Sequence, residues 1–417
     1  MNIAMRRGAC PALSTPMQTG DGLLVRLALA EGGISPGRLC ALSGLAARHG
    51  NGIVDVTARG SLQVRGLTPD SATILAADVA ALGLPLREGV PVETSPLAGL
   101  DPDEIADPLA LVRAIRAATT VAGLQRRLAP KISVVVDSGG SVDMSDILAD
   151  VRLTATREHS GVRWLLAIGG DAKTARQLAT LEDGDAVPAV ITVLEAVAAL
   201  GPEARGRDLD GEALKSLTSE LAALNSFIQP SELPIFPVER RKPEARPPIL
   251  SLTDGRFAAF VALPFGSIHA GEMTTFLDAV EADEIRLAPQ RSLTLICSTA
   301  DAAHAALEAA RARDLIVEAA DPRRMIAACP GAPACTSGKI ATRDIALRLV
   351  ESGLVGESTV HVSGCAKGCA RPTPTALVLT GTDAGIALIR NGRASDAPFA
   401  TVPDMDAALA ILHGSPA

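Results

Sequence analysis

At 417 residues the chain is long enough for two or three folding units, each with its own core. A net charge of −8 without any basic run argues against a general nucleic-acid binder, and 2% aromatics, with no Tyr and one Trp, leave no base-stacking platform. Seven clustered cysteines are not a secreted disulfide scaffold, no stretch approaches the roughly 20 apolar residues of a membrane span, and Arg6 and Arg7 lack the apolar run of a signal peptide, so a cytoplasmic protein in a reducing compartment is expected.

In chain order, residues 23–67 predict strand, Gly turn, amphipathic helix, strand, turn and strand. Residues 258–299 predict the same order. With Ile34 set over Ile268, Leu29 meets Leu263, Gly32 meets Gly266, Gly37 meets Gly271 and Leu39 meets Met273. After a three-residue deletion in the second copy, Ser61 and Leu62 meet Ser292 and Leu293. The shared glycines favour a duplication over chance likeness between two βαββ units.

A larger α/β segment follows each copy. In the first, residues 108–128 and 212–225 are helical in pattern, while residues 131–137 and 164–169 read as buried strands. A Pro-rich, charged connector is expected at residues 229–248, because Pro blocks both helix and central strand. In the last segment, residues 343–353 and 405–412 predict helices, and residues 358–362, 375–379 and 385–389 predict strands, the last two forming a hairpin. The expected boundaries are a half-domain at 1–75, a lobe at 76–228, the connector, a second half-domain at 249–315 and a second lobe at 316–417.

The strongest chemical signal is Cys329-Pro-Gly-Ala-Pro-Ala-Cys335 followed by Cys365-Ala-Lys-Gly-Cys369, a C-x5-C and a C-x3-C. Four thiolates are what a [4Fe–4S] cubane needs. Pro330, Gly331 and Pro333 stiffen the first loop, and Gly364 and Gly368 let the second pass close to a cluster. Zinc sites favour shorter knuckles, and four buried free cysteines within 41 residues of Gly/Pro loops are hard to explain as packing. Cys40 and Cys297 lie in apolar patterns and read as core, and Cys10 stands apart.

With duplication and cysteine spacing together, the chain resembles the sulfite/nitrite reductase family over nearly its whole length. The carrying segments are Arg7-Gly-Ala-Cys-Pro-Ala-Leu-Ser-Thr-Pro-Met17 with Thr19-Gly-Asp-Gly-Leu23, then Thr57-Ala-Arg-Gly-Ser-Leu-Gln63, Leu287-Ala-Pro-Gln-Arg-Ser-Leu293 and Ser363-Gly-Cys-Ala-Lys-Gly-Cys-Ala-Arg-Pro372. Within that family the likeness is greatest to the branch that oxygenates precorrin-3A in aerobic cobalamin biosynthesis. The resemblance implies an α+β fold of duplicated ferredoxin-like half-domains plus two larger α/β lobes about a pseudo-twofold axis. It also implies a monooxygenase that hydroxylates precorrin-3A and closes a lactone, with O2 and an external, NADH-linked electron donor as partners. The alternative within the family is a sirohaem-dependent sulfite or nitrite reductase.

The same resemblance implies site residues. Arg59 looks like the arginine that faces the reacting ligand, and Gln63 is expected on the same strand face, two strand periods away. Lys131 looks like one of a pair of active-site lysines, with Ser133 where the second would stand. Arg127 and Arg291 are further candidates for holding tetrapyrrole carboxylates by charge-assisted bonds. Besides the [4Fe–4S] cluster, the resemblance allows a second iron, non-haem or haem-type, with Cys369 as the bridge to a haem-type iron. Two features depart from the reductases: the missing second lysine, and Cys-Ala-Lys-Gly-Cys where they carry Cys-Asn-Gly-Cys.

Overall fold

The structure, a computed structural model, describes residues 11–30, 32–158, 161–224, 228, 247–356 and 358–414. Cys10 and most of the expected connector, residues 229–246, lie outside the described residues. The chain divides into two compact units. One is built mainly of residues 85–258, the other of residues 11–27, 33–84 and 259–417.

The second unit holds both copies of the repeat. The first copy runs strand Gly22–Leu27, helix Pro36–His49, strands Ile53–Val56 and Leu62–Leu67, helix Pro69–Ala81. The helix at Pro36 starts where Ser35 accepts from the Arg38 N–H and proline takes the first turn, and it buries Leu39, Leu42, Leu45 and Ala46 on one face. The second copy runs strand Phe257–Ala262, helix Ala270–Asp278, strands Glu284–Ala288 and Ser292–Cys297, helix Ala300–Arg311. In both copies the first strand lies beside the third and the third beside the second. Gly32 and Gly266, matched by the repeat, both take positive φ, 67° and 78°. A domain boundary at residue 75, expected from the sequence, falls inside the helix Pro69–Ala81.

The two copies are joined by backbone. The short strand Ser267–His269 adds antiparallel to Ile53–Val56, and Ile34 bridges Ile285.

The lobe that carries the cysteines is a five-stranded sheet ordered Ile326–Ala328, Val360–Ser363, Thr375–Thr382, Gly385–Gly392, Ala400–Val402. Its first two pairings are parallel and its last two antiparallel. The helices Thr342–Glu351 and Met405–Gly414 cover one face through Ile345, Leu349, Met405 and Ala408. The unit at 85–258 contains a sheet of the same design: Val92–Glu93, Val134–Asp137, Ala149–Glu158, Gly161–Gly170, Arg176–Leu181, again parallel twice and then antiparallel twice. The duplication thus extends to the lobes.

Several elements differ from the sequence reading. The helix expected over residues 108–128 ends at Val121, because Gly123 turns left-handed at φ 62° and a 3-10 turn follows. The strand expected from residue 131 begins only at Val134. The ten-residue strand Ala149–Glu158 and the helix Asp183–Ala199 had no counterpart among the expected elements. Among the described residues no helix is long and apolar enough to cross a membrane.

Candidate functional site

Two loops at one end of the cysteine lobe carry the four thiols. Cys329 follows the first strand, and its N–H donates to the Val362 carbonyl of the neighbouring strand at 3.3 Å. The Thr342 hydroxyl, at the start of the next helix, donates to the Cys329 carbonyl. Cys335 is tied within its own loop, its N–H donating to Gly331 O at 2.8 Å and its carbonyl accepting from Gly338 N at 2.8 Å. Lys339 N then donates to Gly364 O at 2.7 Å, stitching the first loop to the second. Ser363 Oγ donates to the Cys365 carbonyl at 2.7 Å. The loops interleave so closely that a Cβ on Gly364 would stand 3.1 Å from the Cα of both Gly331 and Gly338 and 3.5 Å from Cys329 Sγ.

The donor set is four thiols on two interlocked loops. Among the described residues no three His, Cys, Asp or Glu side chains gather tightly enough to ligate one metal ion. The four thiols nevertheless feel one another. Cys369 is held above the usual thiol range first by desolvation and then by Cys329, Cys365 and Cys335, while Lys367 pulls it back. In a cubane each thiolate takes its own iron, so the sulfurs frame a wider space than a mononuclear tetrahedron. The crowding felt by the Cys369 thiol is a condition that a cationic metal centre relieves. The Gly364 N–H donates to Cys329 Sγ at 3.2 Å, the kind of bond that stabilises a charged sulfur. Cys297 is buried with its thiol raised to about 11 by burial and then by Asp283, as suits a core residue.

The expected cationic residues divide. Arg291 ends the three-residue hairpin loop 289–291, in which it and Gln290 take φ of 62° and 59°. Its Nη2 donates to the Ala370 carbonyl, next to Cys369, at 3.4 Å. Its pKa is lowered, first by desolvation and then by Arg343 and Arg371, with Asp55 opposing. A guanidinium in that setting is short of anions. Arg59 lies in the turn before the strand Leu62–Leu67 rather than on the strand, so the two-period argument pairing it with Gln63 does not hold. That turn rests on the Arg291 hairpin: Gln290 N donates to Ala58 O at 3.0 Å, and a Cβ on Gly60 would stand 3.0 Å from the Ala288 carbonyl carbon. Gln63 is on the strand. With its amide oxygen turned toward Arg26 it accepts from Nε at 3.1 Å and Nη2 at 2.7 Å.

Lys131 and Arg127 belong to the other unit. Lys131 is exposed and precedes the strand it was expected to open; its carbonyl accepts from Arg205 at 3.1 Å. Ser133 is buried, its N–H donating to Asp150 at 2.9 Å. Arg127 forms a solvent-facing ion pair with Glu195 at 2.6 Å, which raises its pKa.

Sequence reasoning missed four residues of the cysteine unit. Arg65 is buried and donates to Ala334 O, inside the first cysteine loop, at 2.6 Å. It lies two residues beyond Gln63, so strand periodicity carried the signal. Asp55 accepts from Arg343 at 2.8 Å, and Arg343 also donates to Ser267 at 2.8 Å. Arg343 follows Thr342, the residue that holds the Cys329 carbonyl. His361 is fully buried beside Gly368, and among the described residues neither ring nitrogen has a hydrogen-bond partner. Burial first, then Arg371 and Arg291, push its pKa down to about 4, so the ring is neutral at physiological pH.

The chain resembles known proteins in sequence and in fold. Residues 15–82 match the family described as the nitrite/sulfite reductase ferredoxin-like half domain. A precorrin-3B synthase from Sinorhizobium sp. is 41% identical over 417 residues, covering 98% of this chain and 88% of that protein. The Mycobacterium tuberculosis NirA protein has a similar fold, with a TM-score of 0.69 over 91% of this chain and 76% of that one, at 19% identity.

Proposed function

The chain belongs to the precorrin-3B synthase family, and we propose that it is the oxidoreductase that converts precorrin-3A to precorrin-3B by O2-dependent hydroxylation and lactone closure. Cys329, Cys335, Cys365 and Cys369 would hold a [4Fe–4S] cluster, which when bound supplies electrons one at a time from an external donor. One oxygen atom of O2 enters the macrocycle as a hydroxyl and the other leaves as water, so each turnover takes two electrons and two protons.

The observation that carries the reading is Arg291. It reaches the residue after Cys369 and stands among Arg343 and Arg371 with Asp55 as the opposing anion. A substrate with many carboxylates supplies the missing negative charge at the cysteine loop. Charge-assisted bonds from Arg291, Arg371 and Arg59 orient that substrate, and the Arg26–Gln63 pair stiffens the strand behind the Arg59 turn. His361, neutral and buried, adds no further positive charge to be desolvated. The Gly364 N–H on Cys329 Sγ favours the more anionic, reduced side of the couple.

The test is anaerobic purification, assay of iron and sulfide, a visible spectrum, and turnover with precorrin-3A and O2. Stoichiometric iron and sulfide with formation of the hydroxylated lactone support the proposal. A sirohaem Soret band with consumption of sulfite or nitrite would replace it with a reductase.

A further inference from the structure

We infer that Arg65 is a positioning residue for the cluster, fixing the Cys335 loop against the first half-domain; this rests on the proposed cysteine-held cluster. Arg65 is 4% exposed and sits on the strand Leu62–Leu67. Its guanidinium is aimed before it meets the loop. Nε donates to Asp21 Oδ2 at 3.2 Å and Nη2 to Asp21 Oδ1 at 3.1 Å. Asp21 is itself held by the Thr19 hydroxyl at 2.7 Å and the Asn51 amide at 2.8 Å. Asp55 stands 4.0 Å from Nη1 on the other side.

From that fork Nη2 also donates to the Ala334 carbonyl at 2.6 Å. Ala334 O and Cys335 N belong to one rigid peptide plane. The N–H end of that plane is tied inside the loop, to Gly331 O at 2.8 Å. Among the described residues the carbonyl end is tied through Arg65, from a strand 269 residues away in sequence. A second contact presses on the same segment. A Cβ on Gly20 would stand 2.6 Å from Thr336 N, 2.7 Å from Pro333 O and 2.8 Å from the Cys335 carbonyl carbon, so the Gly20 turn lies directly on the loop. Removing Arg65 frees the Ala334 carbonyl and leaves the Gly20 contact to hold the loop against the first half-domain. The thiolate can then drift from its iron, and the cluster becomes labile.

The experiment uses the full chain, purified anaerobically with its cluster. Iron release to a ferrous chelator is followed well below the unfolding temperature, together with the midpoint potential of the brown chromophore in a dye-mediated titration. Arg65→Met should release iron roughly ten- to a hundredfold faster than the wild type, the range typical of lost outer-shell partners. Arg65→Lys, which keeps the charge but not the fork, should fall between. Gly20→Ala alters no charge and pushes on the loop backbone, so it should also accelerate release and shift the potential; it decides the matter if Arg65→Met does not fold. A residue that merely stabilised the fold would lower the melting temperature and leave release rate and potential unchanged. Wild-type rates and potentials in Arg65→Met and Gly20→Ala would overturn the inference and leave the cluster standing. A wild-type chain without iron and sulfide would overturn the cluster itself, and this inference with it.

Discussion

Ile34 and Ile285 exchange two backbone hydrogen bonds, Ile34 N–H to Ile285 O at 2.9 Å and Ile285 N–H to Ile34 O at 2.7 Å. Ile268, which the repeat sets over Ile34, faces Val54 across the pairing of Ser267–His269 with Ile53–Val56. Each copy therefore offers the residue before its helix to the second strand of the other copy, a reciprocity that twofold-related units produce. Both side chains are buried, Ile34 at 2% and Ile268 at 8% exposure. Ile34→Ala and Ile268→Ala should each destabilise the chain by about 2–4 kcal/mol. Urea midpoints measure this, and losses below about 1 kcal/mol in both would make the bridges incidental.

The cysteines should separate cleanly by chromophore. Replacing Cys329, Cys335, Cys365 or Cys369 by Ser should abolish the brown absorption, because each thiolate of a cubane holds its own iron. Cys40→Ser and Cys297→Ser should keep it, since Cys297 is wholly buried in a strand and Cys40 lies on the helix Pro36–His49. Bleaching by Cys40→Ser with colour retained in Cys365→Ser would reverse the assignment.

The repeat and the cysteine loops were readable because both depend on local pattern: matched glycines, apolar spacing, and thiols in Gly/Pro loops. The charged groups were not, because their partners are distant in sequence. Arg65 meets Ala334 across 269 residues and Arg343 meets Asp55 across 288. The strand Ala149–Glu158 was hidden by Asp150, Arg152 and Thr154, which look solvent-facing yet are buried. Asp150 is satisfied there by Arg205 and by the Ser133 and Gly206 N–H groups, and Arg152 by the Met144 and Ile147 carbonyls. Arg59 is expected on a strand, but the preceding strand ends at Val56 and Gly60, at φ 75°, closes the turn that follows it.

The arginines predict a graded loss of substrate binding. Arg291→Ala and Arg59→Ala should keep the cluster spectrum and weaken tetrapyrrole binding, each by about 1.5–3 kcal/mol, or roughly ten- to a hundredfold. Arg127→Ala and Lys131→Ala remove exposed, screened charges and should leave the affinity close to that of the wild type. Titration of each variant with tetrapyrrole checks the ranking. Equal affinity in Arg291→Ala and the wild type would remove the arginine group from the site.

Glu104 ties stability to pH in the other unit. In the cysteine lobe the loops after the first two strands carry thiols; in this lobe the corresponding loops carry carboxylates and hydroxyls. Glu104 accepts from Ser138 Oγ at 2.6 Å and Gly99 N at 2.8 Å, and Asp101 accepts from Ser141 N at 2.5 Å. Burial is the main force that raises the Glu104 carboxyl from 4.5 to about 7. The two hydrogen bonds oppose it, and Asp101 and Asp107 add repulsion. Between 4.5 and about 7 the folded chain therefore binds more protons at this group than the unfolded chain does. Its contribution is fully present below pH 4.5 and is lost as pH rises through about 7. Glu104→Gln removes the charge and keeps the shape: Gly99 N can donate to the amide oxygen, and the Ser138 hydroxyl can turn to accept from the amide nitrogen. The variant should melt above the wild type at pH 8, and the gap should close toward pH 4.5. Thermal melts across that range decide it, and a gap independent of pH would show that ionisation of Glu104 is not its source.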